Sequence, residues 1–321
     1  MGGGVGSGGP FAVGSVSLRM YPSGAPDAVE VVAELCAQAG LALAGGFDGV
    51  MTSEHHGGVG GYLPNPLQLA GFLLDEADKG WAAPCPILLP LRPTALIAEE
   101  VAWLAARHPG RVGLGVGSGA LPLDFEVMEL DVAQAGSVFK TRLPRLVEML
   151  QGRGLGGIEG DLALLRCRDH PVTVLSAAVS SVAARRAAVC GAGLILEGMS
   201  DVAKLSRLCR VYRGAGGTRP IVVVRRVWLG APQTPQIQGQ RAFYQAIQGS
   251  DQPLPADQTV QTDDPGEMAE RLAEVVRVSG ADALNLRVHL PGVAPSAIRD
   301  QIGRLAAEVL PELRRRLVPG A

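Results

Sequence analysis

The chain is poor in aromatic residues (4%), in cysteine (five) and in histidine (five) over its 321 residues. It has no run of roughly 18 uncharged apolar residues, because arginines and acids interrupt each candidate, so a membrane-spanning helix is not supported. The cysteines, Cys36, Cys85, Cys167, Cys190 and Cys209, include no C-x-x-C pair. Most lie in apolar patterns, which reads as buried thiols rather than disulfides or zinc ligands and points to a cytoplasmic protein. Charge of either sign is also missing as a block: 29 basic and 31 acidic residues are interspersed and net to −2. No field favours nucleic acid or an anionic membrane surface, and neither is expected as a partner. The opening stretch MGGGVGSGGP has no basic segment and no apolar core of a secretory leader. Residues 1–10 therefore read as a flexible tail, and residues 11–321 as a single domain.

What the sequence has is a 47% apolar content, enough to bury a large core. Short apolar runs bounded by Gly, Pro or polar residues predict strands at 11–18, 47–52, 85–91, 112–117, 172–176, 193–197, 221–228 and 283–288. Stretches of helical period lie at 27–39, 66–77, 94–107, 139–150, 180–190, 201–212, 265–279 and 295–316. Asp27, Ser180 and Asp201 stand where N-caps belong, and Pro66, Pro265 and Pro295 stand in first turns. Strands that are apolar throughout rather than alternating imply a parallel sheet covered by helices. Eight such units point to an α/β fold of the (β/α)8 TIM-barrel type, with its site at the C-terminal ends of the strands. A doubly wound dinucleotide fold is the competitor, but Gly113, Gly115, Gly117 and Gly119 alternate and make no G-x-G-x-x-G. Two long stretches break the rhythm, 119–137 with 152–170, and 230–262; both are expected as insertion loops lying over the mouth.

The chemistry concentrates at Ser53-Glu54-His55-His56, at the tip of the second strand and ahead of a glycine-rich loop, Gly57 to Pro66. An imidazole titrating near neutrality is the natural acid/base group, and a neighbouring carboxylate fixes its tautomer. Capping of backbone groups by two strand-end histidines is the plainer alternative. Chelation of one metal ion by Glu54, His55 and His56 is disfavoured, because adjacent strand residues point to opposite faces. Gly117-Ser118-Gly119 lacks the G-x-S-x-G elbow of a hydrolase. His108 and His170 are isolated, while Arg287 and His289 fall at the end of the last strand, where they could line the mouth.

Together, SEHHGGVGGYLPNPLQLAGFLL, ILLPLRPTALIAEEVAWLAARHPGRVGLGVGSG, DFEVMELDVAQAGSVFKTRLPRLVEML and VLSAAVSSVAARRAAVCGAGLILEG resemble the luciferase-like monooxygenase family of flavin and deazaflavin oxidoreductases. The resemblance is strongest over residues 11–200. It implies a barrel that binds FMN, or alternatively the deazaflavin coenzyme F-420, at its mouth. His55 would take the role of the family's essential histidine, with Glu54 orienting its ring and His56 beside it. Gly115, Gly117 and Ser118 would face the isoalloxazine, unless those glycines serve only barrel packing. Ser176, Ser180 and Ser181 open a helix in the place of the family's phosphate loop, where free N–H groups suit a phosphate; Ser180 as a mere N-cap is the other reading. Two departures stand out: Gly57 where an aromatic often follows the histidines, and SAAVSS where the phosphate loop is glycine-rich. The function implied is oxygenation of a small apolar organic substrate by reduced FMN and oxygen, with a separate flavin reductase as partner and a homodimer as assembly. Deazaflavin-dependent hydride transfer is the alternative, and a non-catalytic flavin-binding barrel the second.

Overall fold

The computed structural model describes residues 8–22, 27–60, 62–247 and 253–317. Its strands are β1 (Val16–Met20), β2 (Gly49–Thr52), β3 (Trp81–Pro84), β4 (Ile87–Leu88), β5 (Leu114–Gly117), β6 (Val174–Ala177), β7 (Gly193–Leu196), β8 (Ile221–Leu229), β9 (Val260–Thr262) and β10 (Ala283–Arg287). The helices are α1 (Ala28–Ala44), α2 (Pro66–Glu76), α3 (Thr94–Arg107), α4 (Pro122–Glu126), α5 (Ala135–Met149), α6 (Leu162–Arg166), α7 (Ser181–Val189), α8 (Val202–Gly214), α9 (Thr234–Ile247), α10 (Pro265–Ser279), α11 (Pro295–Arg304) and α12 (Leu310–Leu317). Capping follows the sequence: the carboxylates of Asp27, Asp201 and Asp264 and the Ser180 hydroxyl accept first-turn N–H groups of α1, α8, α10 and α7.

All strand pairs are parallel, in the order β3-β2-β1-β10-β8-β7-β6-β5-β4, with β9 added beside β8. The register steps steadily, for example Val50 with Leu18 and Leu18 with Leu286. The ring closes where Ala82 bridges Val112, through Ala82 N–H to Arg111 O (3.0 Å) and Gly113 N–H to Ala82 O (3.1 Å). The TIM-barrel fold read from the sequence is the fold observed. Helices cover the outside, so the strands bury both faces and one continuous apolar shell joins strands to helices. A second, smaller cluster fills the barrel itself: Met51, Ala83, Cys85, Leu175, Ile195, Val222 and Val224, floored by the edge-to-face pair Phe11 and Trp81 with ring centres 5.0 Å apart.

Three elements differ from expectation. The third barrel strand begins at Trp81, not at residue 85, and is split by the cis Cys85–Pro86 bond into β3, which pairs with β2, and β4, which pairs with β5. The Trp-Ala-Ala-Pro stretch lacks the branched side chains that announce a strand. The first strand starts at Val16; Phe11, the expected start, takes a φ of +65° and turns into the barrel floor instead. The stretches expected as loops carry α4, α6 and α9, and α9 lies across the mouth. Among the described residues no helix is long and apolar enough to cross a membrane.

Candidate active site

At the tip of β2 the chain passes directly into the Glu-His-His segment. Glu54 is buried, and its carboxylate accepts from Leu88 N–H (2.5 Å), Arg92 Nη2 (2.6 Å) and His56 Nε2 (2.9 Å). Three donors to one buried carboxylate meet most of its hydrogen-bonding capacity and offset the cost of taking its charge from water. Glu54 N–H also donates to Pro86 O (3.1 Å), so this residue ties the tip of β2 to the split third strand. The expected pairing of Glu54 with His55 is not formed; its imidazole partner is His56.

His55 has a different carboxylate. Asp124, fully buried in the first turn of α4, accepts from His55 Nδ1 at 2.7 Å and from His56 N–H at 2.7 Å. The carboxylate fixes Nδ1 as the nitrogen that donates, which leaves Nε2 as the one free for exchange with a bound group. The ring stands edge-on to Tyr62, centroids 4.3 Å apart, in the wall of the cavity. Gly57 makes this possible: its φ is +67°, and a Cβ there would lie 2.6 Å from Leu123 of α4. The glycine in place of an aromatic lets α4 close on the histidines.

The cavity occupies the C-terminal mouth of the barrel, with a volume of about 440 Å³. Leu121, Ala177, Ala178, Val179, Ile195 and Val224 form an apolar side. The opposite side carries Arg19, Tyr21, Tyr62, Arg226, Tyr244 and Arg287. Arg19, buried on β1, is bonded to Asn285 Oδ1 (2.8 Å) and Cys85 O (3.0 Å). Arg287 stacks on the Tyr21 ring at 4.1 Å, and Tyr62 and Tyr244 share a hydroxyl bond of 2.9 Å. Burial alone would raise the Tyr21 hydroxyl, but the charges of Arg287 and Arg19, with bonds from Ser53 and Arg19, outweigh it and bring it down to about 8. His289 lies behind this group, its Nε2 donating to Gln38 Oε1 (2.7 Å). Burial, then the charge of Arg287, pulls it down to about 3 and keeps it neutral.

The remaining sequence candidates fall around the apolar side. Gly115 is inside the barrel, where a Cβ would come within 2.0 Å of Cys85 Sγ. A Cβ on Gly117 would meet Pro86 (3.5 Å) and Ala177 (3.8 Å), both cavity residues. Ser118 is half-buried just beyond the strand, and Ser176 is buried within β6. Ser180 Oγ accepts from Ala183 N–H (3.3 Å), and Ser181 opens α7 next to the cavity residues 177–179. His55 is thus brought to the cavity wall, while Glu54 and His56 pair with each other and do not line the cavity. Asp124 escaped the sequence reading because nothing in D-F-E distinguishes it from any other acid in a helix's first turn. Tyr21, Arg226 and Tyr244 escaped because they are single residues on separate elements.

A (β/α)8 barrel with a carboxylate-held imidazole in the wall of a cavity at its mouth has the place and the residue types of a barrel enzyme's active site. The luciferase-like monooxygenase family model matches residues 13–227, and the chain belongs to that family. An uncharacterised protein of Mycobacterium tuberculosis is 31% identical over 148 residues, 42% of this chain and 49% of that protein; the chain spans about half the length of the curated relatives it matches. Among solved structures, the oxygenating constituent of 3,6-diketocamphane monooxygenase from Pseudomonas putida, a type II Baeyer-Villiger monooxygenase in complex with FMN, superposes with a TM-score of 0.72 at 18% identity, covering 93% of this chain and 98% of that one. A coenzyme F-420-dependent secondary alcohol dehydrogenase also superposes with a TM-score of 0.72, at 15% identity and the same coverage of 93% and 98%.

Proposed function

We propose that the protein is a flavin-dependent monooxygenase that uses reduced FMN, supplied by a separate reductase, and oxygen on a largely apolar organic substrate. The observation that carries this reading is the His55 ring, held on Nδ1 by Asp124 at 2.7 Å in the wall of the mouth cavity. The cavity fits the cofactor by its chemistry. Small side chains, Ala120, Ala177, Ala178 and Gly198, leave backbone accessible along the wall where a flat ring would lie. The start of α7 adjoins that wall, and its first-turn N–H groups suit a phosphate. Bound reduced flavin would supply the electrons that activate oxygen.

The chain's own residues do the rest. His55 Nε2 accepts a proton from the reacting group and returns it, while Asp124 stabilises the imidazolium that forms in between. Val59, Leu121 and Met199, with α9 above, exclude water from the reacting centre. A fold that serves both flavin and deazaflavin proteins requires the test to include both cofactors. Titration of FMN and of coenzyme F-420 against the intrinsic tryptophan fluorescence is expected to show saturable FMN binding. Binding of the deazaflavin with no response to FMN would overturn the proposal.

A further inference from the structure

The polar side of the mouth holds more positive charge than the protein neutralises. Arg287 forms no ion pair among the described residues; its guanidinium reaches only the Tyr244 hydroxyl (3.4 and 3.3 Å), the carbonyl of His289 (3.3 Å) and the face of Tyr21. Arg226, on β8 beside β10, has Asp257 at 3.5 Å and Gln240 as partners, yet its Nε is buried with no acceptor at all. Among the described residues Arg19 is bonded to the uncharged Asn285, Ser53 and the carbonyl of Cys85. Glu197, the other carboxylate at this cavity, is already engaged by Lys204 (3.2 Å) and Ser200 (2.8 Å). Guanidiniums withdrawn from water with their donors unmatched are costly, and an oxyanion at the same place removes the cost through charge-assisted bonds. Arg226 and Arg287 are register partners on adjacent parallel strands, and burial, followed by the charge of Arg287, lowers the affinity of Arg226 for its proton.

We infer that Arg226 and Arg287 form an anion site that takes a carboxylate on the substrate, so that the substrate is an apolar body with an acidic head. This rests on the flavin reading of the site. A carboxylate and a cofactor phosphate share the chemistry, and position favours the substrate. Arg287 is two rings from the reacting histidine, through Tyr21 and Tyr62, whose centroids are 5.1 Å apart. The α7 start that suits the cofactor's phosphate follows β6, with β7 between it and β8. A head group on Arg287 would leave the apolar body lying past Tyr62 toward His55 and the flavin. Planar guanidinium recognition also favours a carboxylate over a neutral amide of equal shape.

Calorimetry with phenylacetate and its neutral isostere phenylacetamide tests this, on the protein with FMN and without it. The acid is expected to bind at least about tenfold more tightly than the amide, with Arg287→Gln and Arg226→Gln each abolishing that preference and Arg287→Lys retaining part of it. If one glutamine variant fails to fold, the other, on a separate strand, still reads the site. FMN and riboflavin are titrated into the same variants. Equal binding of acid and amide to the wild type would overturn the inference, and so would a loss of FMN affinity without loss of riboflavin affinity, which assigns the arginines to the cofactor's phosphate. Should the protein take no flavin, the functional reading fails while the comparison of acid with amide still stands on its own.

Discussion

His55 and Asp124 are 69 positions apart, and their 2.7 Å bond fixes the orientation of the imidazole for the role proposed for it. Asp124 is a positioning residue: one oxygen holds His55 Nδ1 and the other holds the His56 backbone. Asparagine there keeps an acceptor for His56 N–H but turns an amide N–H toward Nδ1, so the proton moves to Nε2 and the cavity faces a donor instead of a lone pair. Asp124→Asn is expected to lower turnover by about 10- to 100-fold with FMN affinity retained, read by parallel rate and titration measurements. Equal loss of flavin binding would mean that Asp124 serves only the fold. His289 gives a second residue-scale prediction. Its pKa falls from near 6.5 unfolded to about 3 folded, so the unfolded chain binds the extra proton first on acidification. The stability it contributes is complete above about pH 6.5 and is lost as pH falls toward 3, by about 1.4 kcal/mol per unit. Urea unfolding at pH 7 and pH 4.5 is expected to show a loss larger by roughly 2–3 kcal/mol in the wild type than in His289→Gln. The same loss in both proteins would show that His289 titrates freely.

Among the elements, β8 carries one of the mouth's cations, Arg226, and α11 pins the end of that strand. The Gln301 amide on α11 bonds both the N–H and the C=O of Leu229, each at 2.9 Å, in a buried setting. Gln301→Leu leaves the Leu229 N–H without an acceptor, whereas its carbonyl keeps Arg304 Nη1 at 3.0 Å. A cost of about 1–3 kcal/mol is expected, seen as a lower urea midpoint at an unchanged slope. An unchanged midpoint would mean that the end of β8 is pinned from elsewhere. The long insertion between β8 and β10 shows what periodicity misses. Thr234–Ile247 begins Thr-Pro-Gln and carries three further glutamines and a glycine, so its polar composition reads as loop. It is nonetheless a helix whose Tyr244 hydroxyl meets Tyr62 and Arg287, contacts that no local pattern encodes.

At the scale of the whole molecule, the barrel was legible because eight apolar runs alternate with eight helical periods, and a parallel sheet covered on its outer face makes that rhythm compulsory. The third strand was misplaced because its apolar character lies downstream of its start, in Ile87 and Leu88, past the cis Cys85–Pro86 bond. His55 was legible as a residue type at a strand tip. Its true carboxylate was not, since only the closure of α4 over Gly57 brings Asp124 to it. Arg287 of β10 was legible as a residue at the end of the last strand that could line the mouth, whereas Arg226 of β8 was silent, an ordinary charge until the barrel turns both into one mouth. The role proposed for His55 is to act on the reaction of reduced flavin with oxygen in that mouth. It is tested most directly by mixing the protein, loaded anaerobically with reduced FMN, with oxygen in a stopped-flow spectrophotometer and following the return of oxidised-flavin absorbance. The wild type is expected to set a pH-dependent rate unlike that of free flavin, and His55→Ala to shift that rate by about 10²-fold while binding FMN as before. A rate identical in wild type, His55→Ala and free flavin would contradict the claim.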